Sequence, residues 1–248
     1  MKQSVFIFGL IAVAIIVSYL VYEFIFGAPG DAYGLHFVYM GGILVPILMA
    51  LLIMVVTFIV ERFLSLRKAK GTGSITMFLK NMEKSLMDGK VDGAIEICNK
   101  QRGSCANVIR SGLERYKQIA GDTKLGAEKQ MAEVQRTIEE AMMLETPLLE
   151  KNLIALSTIA SISTMIGLLG AVIGMIRSFG ALGAQGAVDA AQLSIGISEA
   201  LINTAIGLIV AISGIIFYNF FVNKVDSFTY MIDEATYNVI QILTSRSK

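Results

Sequence analysis

Two ionisable side chains, Arg177 and Glu199, stand inside otherwise apolar stretches of the second half of the chain. An ionisable group in the middle of an apolar helix costs roughly 2.5 to 3.5 kcal/mol on insertion scales, so it normally faces a helix bundle or water. Arg177 lies about ten residues before the centre of the short link between two apolar runs, and Glu199 about twelve residues after it. Antiparallel helices would hold the two charges at similar depth. The spacing therefore predicts an ion pair, which could also serve only to fix the register of the two helices.

Further polar and small residues follow the same two runs. Asn203 comes one helical turn after Glu199 and Thr204 is beside it, which predicts a polar track along one helix. Glycines at close spacing let helix backbones approach each other, and five of them are expected to serve helix packing: Gly167, Gly170, Gly174, Gly196 and Gly207. Such helices suit either tight packing within one chain or an interface with other subunits, including a polar lining around a guest helix.

Residues for catalysis, metal binding or nucleotide binding do not combine into a recognisable site. The single histidine, His36, has no nearby residue that would complete a catalytic centre. Cys98 and Cys105 have neither zinc-ligand spacing nor a redox pair's spacing, so we interpret both as plain reduced thiols. The glycines form no phosphate-binding loop, and no nucleic-acid motif occurs. The sequence predicts a non-enzyme without a metal or cofactor.

Four apolar runs position these residues, over 5–26, 35–60, 152–180 and 193–222. The composition is 54% hydrophobic with a mean hydropathy of +0.65, and each run has the length of about 20 residues that a membrane-spanning helix needs. We therefore predict an all-α integral membrane protein with four transmembrane helices. Its expected parts are a first hairpin (1–60), a helical cytoplasmic domain (61–151), a second hairpin (152–223) and a C-terminal amphipathic helix (224–248).

The cations predict the orientation. Sixteen of the 21 Lys and Arg lie between Arg62 and Lys151, whereas the links over 27–34 and 181–192 carry none. Cations accumulate on the cytoplasmic side of inner-membrane proteins, so both termini are expected in the cytoplasm. The first run could be a cleaved signal peptide, but it lacks a clean small-x-small cleavage site, and we expect it to remain as a helix.

The two non-membrane parts have helical patterns. The 61–151 segment is expected to form several helices that break at glycines, namely Gly71, Gly73, Gly89, Gly103 and Gly121. After the fourth run, apolar residues recur every three or four positions from Val225 to Ile242. This stripe is expected to extend the fourth helix and to pack on the 61–151 segment or on a neighbouring subunit.

The third and fourth runs carry a resemblance to a known family. Gly167 to Met175 reads GLLGAVIGM, Gly196 to Leu208 reads GISEALINTAIGL, and Tyr218-Asn219 follows. These motifs resemble the MotA/TolQ/ExbB proton-channel family, and most closely its ExbB/TolQ branch. The resemblance is specific over 164–219 and does not include the first helix.

The resemblance implies a homopentamer in the bacterial inner membrane, whose third and fourth helices line a central pore. Two helices of an ExbD/TolR-like single-span partner would lie inside the pore and carry the aspartate that takes the proton, with a TonB/TolA-like protein as a further partner. Glu199 and Thr204 match family positions directly, and the implied proton pathway consists of Glu199, Thr204, Asn203, Thr164 and Ala171. Ala171 departs from the usual Thr, and Arg177 stands where an uncharged polar residue is usual.

Several functions remain open within and beyond this resemblance. TonB-dependent import is the first expectation, and a Tol-Pal-type subunit or a MotA-like stator subunit is an alternative. A non-conducting membrane scaffold, in which the polar track only packs helices, is the alternative from a different class.

Overall fold

The computed structural model describes residues 2–27, 36–120, 126–183 and 190–246, and all regular secondary structure within these ranges is helical. The links predicted to face outward are 27–34 and 181–192, and of these, 28–34 and 184–189 lie outside the described residues. The elements in chain order are α1 (Lys2–Val21) with a π-helical turn (Tyr22–Phe26), α2 (His36–Tyr39), α3 (Leu44–Lys70), α4 (Ile75–Met87), α5 (Val91–Gln101), α6 (Ser104–Ile119), α7 (Ala127–Glu150), α8 (Leu153–Gly183) and α9 (Ala190–Arg246).

Four helical stretches of the described residues are long and apolar enough to cross a membrane. By length and composition, this confirms the prediction of an all-helical protein with four spans. They are Phe8–Phe26, Leu44–Met87, Ala127–Gly180 and Ala190–Arg246. The last three exceed the roughly 20 residues of a single crossing, because each includes helix outside its apolar run.

The chain divides into two compact units. Unit 1 contains Met1–Val60 and Asn152–Phe220, and unit 2 contains Glu61–Lys151 and Phe221–Lys248. Each unit has its own buried apolar core, as expected when amphipathic faces pack on one another. Fully buried core residues include Val45, Leu48, Val55, Leu156 and Val210 in unit 1, and Met82, Leu86, Ile109, Leu113, Ile138 and Phe221 in unit 2.

The predicted second helix over 35–60 is interrupted in the structure. Between α2 and α3 the chain turns at Gly42, whose φ of +74° is a left-handed conformation that glycine adopts without steric cost. The backbone N–H of Gly42 donates to the Tyr39 carbonyl at 3.2 Å. Pro46 then lies in the first turn of α3, where its missing N–H costs no hydrogen bond. Apolar periodicity did not reveal this break because the flanking residues are apolar on both sides.

Within unit 2, the C-terminal part of α9 packs on the Glu61–Lys151 segment. Val225, Phe228, Ile232 and Val239 are buried, while Asn238 Nδ2 donates to Glu83 Oε1 at 3.2 Å. The apolar stripe of α9 therefore packs on the 61–151 segment of its own chain, which is one of the two partners expected for it. Helix breaks occur at glycines with positive φ, at Gly71, Gly73, Gly89 and Gly103, whereas Gly121 lies outside the described residues.

Candidate functional site

Close backbone contact between α8 and α9 forms the frame of the site. A Cβ atom on Gly174 would lie 2.6 Å from the Gly196 carbonyl oxygen and 2.7 Å from the Ala200 nitrogen. One on Gly207 would lie 2.8 Å from the Ser163 carbonyl oxygen. All five predicted packing glycines face the opposite helix in this way: Gly167, Gly170, Gly174, Gly196 and Gly207. Within one chain, these glycines allow α8 and α9 to approach backbone to backbone.

An ion pair joins the two helices. Arg177 Nη1 lies 2.7 Å from both carboxylate oxygens of Glu199. The side chains differ in exposure, since that of Arg177 is 58% exposed and that of Glu199 only 6%. Glu199 also contacts the turn before α3, because a Cβ on Gly42 would lie 2.6 Å from Glu199 Oε1. The carboxylate therefore lies between Arg177 and a turn that has room only for glycine.

Asn203 connects α9 to the same turn. Its side chain is fully buried, and Nδ2 donates to the Gly41 carbonyl at 2.8 Å. The Asn203 Oδ1 atom is also buried and has no hydrogen-bond partner among the described residues. Gly170 makes the necessary space, since a Cβ there would lie 2.5 Å from the Asn203 Cβ. Sequence reasoning missed the Gly41–Gly42 turn as part of the site, although a double glycine inside an apolar run is a turn signal.

The remaining predicted site residues lie on more open faces of α8 and α9. Thr204 is half-buried and donates its hydroxyl proton to the Ala200 carbonyl at 2.9 Å, while Thr164 is exposed and donates to Ala160 at 3.2 Å. Each hydroxyl oxygen can still accept a hydrogen bond. Ala171 is half-buried, seven positions after Thr164 on the same face of α8.

The structure thus brings Arg177, Glu199 and Asn203 together and leaves Thr164 apart. Thr164 precedes Arg177 by thirteen positions on one helix, which is about 20 Å along its axis. Among the described residues, no group of three or more His, Cys, Asp or Glu side chains could hold a metal ion. The site offers a buried charge pair and hydroxyl acceptors, which suit the handling of a proton or the fixing of helix register rather than covalent chemistry.

The model of a family described as the MotA/TolQ/ExbB proton channel family matches residues 100–234. The biopolymer transport protein ExbB of Aquifex aeolicus is 38% identical over 114 residues, which cover 46% of this chain and 69% of that protein. All predicted site residues lie within the family match, whereas α1, α2 and α3 precede it.

Two further relatives are matched over less of their length. The Tol-Pal system protein TolQ of Pseudomonas aeruginosa is 35% identical over 114 residues, which cover 46% of this chain and 49% of that protein. A putative ExbB-like biopolymer transport protein of Synechocystis is 41% identical over 91 residues, which cover 36% of this chain and 43% of that protein. The chain therefore spans less than half the length of these two relatives.

Proposed function

Because the chain belongs to the MotA/TolQ/ExbB proton channel family, we propose that it is the ExbB/TolQ-like subunit of a proton-driven motor in the bacterial inner membrane. The observation that carries this proposal is the buried Glu199 on α9, which pairs with Arg177 and is followed five positions later by the half-buried Thr204. A charge is kept inside an apolar helix only where it has a partner or a task. The four apolar helices make the chain a multi-pass membrane protein, and unit 2 with both termini would lie in the cytoplasm.

The proposed assembly is a homopentamer in which α8 and α9 line a central pore. No aspartate occurs in the four apolar runs, so a proton carrier at mid-membrane would be Glu199 or would come from another chain. Both oxygens of Glu199 already contact Arg177. We therefore assign the carrier role to the membrane aspartate of an ExbD/TolR-like single-span partner inside the pore, and give Glu199 and Asn203 a supporting role.

The face that carries Thr164, Ala171 and Thr204 would border the partner's helices. The hydroxyl oxygens of the two threonines can accept hydrogen bonds there, whereas Ala171 cannot. Thr164→Val removes one acceptor at nearly constant volume. Reduced proton-driven activity is expected. Unchanged activity would show that Thr164 does not line the pore.

The energised process is proposed to be TonB-dependent import through a TonB/TolA-like protein. Each proton supplies about 2.3 kcal/mol per 100 mV. Both relatives cover 46% of this chain, but the ExbB relative of Aquifex aeolicus is matched at 38% identity over 69% of its length and the TolQ relative at 35% over 49%, which favours import. The TolQ match makes a Tol-Pal-type role in the envelope the second candidate. A neighbouring gene of ExbD, TolR or MotB type would identify the branch of the family to which the chain belongs.

Native mass measurement of the full chain purified with its partner tests the assembly. Five copies of this chain with two of the partner are expected. A complex with a different number of copies, or one that never retains a single-span partner, would contradict the proposed architecture. A stable oligomer without a partner and without ion conduction would favour the scaffold alternative.

A further inference from the structure

A cavity of about 530 Å³ lies in unit 2, where the end of α3 meets the turn between α5 and α6. The last turn of α3 and the Arg102–Gly103 turn touch backbone to backbone, since a Cβ on Gly103 would lie 2.5 Å from the Ala69 carbonyl oxygen. This contact brings the last turn of α3 to the first turn of α6. The polar residues of the cavity wall include Ser65, Lys68, Thr72, Arg102, Ser104, Asn107 and Glu145.

The charges of the wall favour an anion. Lys68 and Arg102 are exposed and have no ion pair or hydrogen bond to any described side chain. The one carboxylate of the wall, Glu145, accepts a hydrogen bond from Asn107 Nδ2 at 2.9 Å. Two cations against one carboxylate leave the cavity with a net positive charge, which attracts an anionic ligand over short distances.

Ser104 provides a second, independent indication that the cavity holds a ligand. It is the first residue of α6 and only 6% exposed, yet it borders the cavity, and its hydroxyl has no hydrogen-bond partner among the described residues. The rest of the residue is buried, but the hydroxyl is accessible from the cavity, where it can donate to a ligand. The N-cap residue of α6, Gly103, supplies no side-chain cap, so the first-turn N–H groups of this 16-residue helix are also left for another acceptor.

We propose that this cavity binds a phosphate group. A helix N-terminus, a hydroxyl donor and two long cationic side chains together present the donors that a phosphate oxygen accepts. The phosphate could belong to a phospholipid headgroup or to a dissolved phosphate compound. Lys68 follows Val60, the last residue of its apolar run, by eight positions on a continuous helix, or about 12 Å, so a headgroup is within reach of a long side chain. The site goes beyond the proposed proton-driven function and does not depend on it.

Thermal unfolding of the detergent-solubilised full chain, titrated with inorganic phosphate at constant ionic strength, tests the site. A saturable rise of the midpoint is expected for the wild type. Lys68→Gln/Arg102→Gln should raise the half-saturating phosphate concentration by about a hundredfold, and Ser104→Ala by about tenfold, because charge-assisted hydrogen bonds are lost. The matched control, Lys84→Gln/Lys129→Gln, removes two exposed cations outside the cavity and should leave the titration unchanged.

Nanodiscs of phosphatidylglycerol distinguish the two sources. If a lipid headgroup fills the cavity, dissolved phosphate will no longer raise the midpoint of the wild type in nanodiscs. If the ligand is dissolved, the rise will persist there, and both results support the site. A midpoint that rises without saturation and equally in the wild type, both cavity variants and the control would be a general salt effect and would overturn the proposal.

Discussion

The two residues of the Arg177–Glu199 ion pair differ in exposure. We expect this difference to decide how much stability is lost when each is replaced. Arg177→Leu leaves the carboxylate of Glu199, 6% exposed, without its partner, at a cost of about 3 kcal/mol in the free energy of unfolding. Glu199→Gln leaves an arginine that is 58% exposed and six positions from the end of α8, where its side chain can reach the polar interface. A cost of about 1 kcal/mol is expected.

Unfolding of the two single variants and of the double variant in detergent measures these costs. The double variant should be more stable than Arg177→Leu, since it no longer buries an unpaired carboxylate. Equal costs for the two singles would contradict the asymmetry. If both single variants keep normal assembly and activity, the ion pair has neither the structural nor the functional role described here.

Cys98 and Cys105 allow a test of unit 2 through pH. Burial raises the pKa of both thiols to about 12, and for Cys98 the nearby Cys105 adds to this. An unfolded cysteine has a pKa of about 8.5, so the folded chain holds more protons above that pH. The stability that the neutral thiols contribute is therefore complete below about pH 8.5 and is lost as pH rises toward 12.

Two measurements test whether Cys98 and Cys105 are buried as neutral thiols. Alkylation by iodoacetamide at pH 8 should be slow in the folded chain and fast after denaturation. The free energy of unfolding should also fall between pH 8.5 and 10 more steeply than in Cys98→Ala/Cys105→Ala. Rapid alkylation of the folded chain, or identical pH profiles, would show that the thiols are not buried in the way described.

At the scale of elements, α8 and α9 depend on glycines at their contact. In Gly174→Ala the new methyl group would meet backbone atoms at 2.6 and 2.7 Å, so the helices must separate. A loss of about 1 to 3 kcal/mol in the free energy of unfolding is expected. Gly180→Ala on the same helix is the matched control, because a Cβ there meets nothing within 4 Å, and alanine should stabilise the helix by up to about 1 kcal/mol. Equal effects at both positions would mean that the contact is not tight.

Helix position and helix contacts differ in how well the sequence predicts them. The apolar runs indicate four spans because a continuous apolar stretch has few alternatives to a membrane helix. The break between α2 and α3 was missed because the residues on both sides of Gly41–Gly42 are apolar. The bond of Asn203 to the Gly41 carbonyl was not predictable from local sequence, since the two residues are 162 positions apart. Residue counting from the outer link puts Arg177 and Glu199 at similar depth, but it gives neither their unequal burial nor the contact of Glu199 with Gly42. Those features depend on packing among three helices.

At the scale of the whole molecule, the proposed pore and the proposed phosphate site lie in different units. Arg177, Glu199 and Thr204 belong to unit 1, whereas Lys68, Arg102 and Ser104 belong to unit 2. Sites that share no partner residues usually act additively on stability. We therefore expect phosphate binding and proton conduction to be lost through different substitutions, so that one proposal can fail while the other stands.

Proton flux into liposomes that contain the full chain with its single-span partner tests the central claim most directly. With an imposed membrane potential, the wild-type complex should take up protons. Thr204→Val should reduce the rate by about tenfold, because the proposed pore lining loses one hydrogen-bond acceptor. Thr57→Val on α3 is the matched control, since Thr57 is also half-buried and donates to its own helix, to Ile53 at 2.7 Å, and its flux should equal that of the wild type. No flux from the wild-type complex, or equal flux from both threonine variants, would contradict a proton-conducting role.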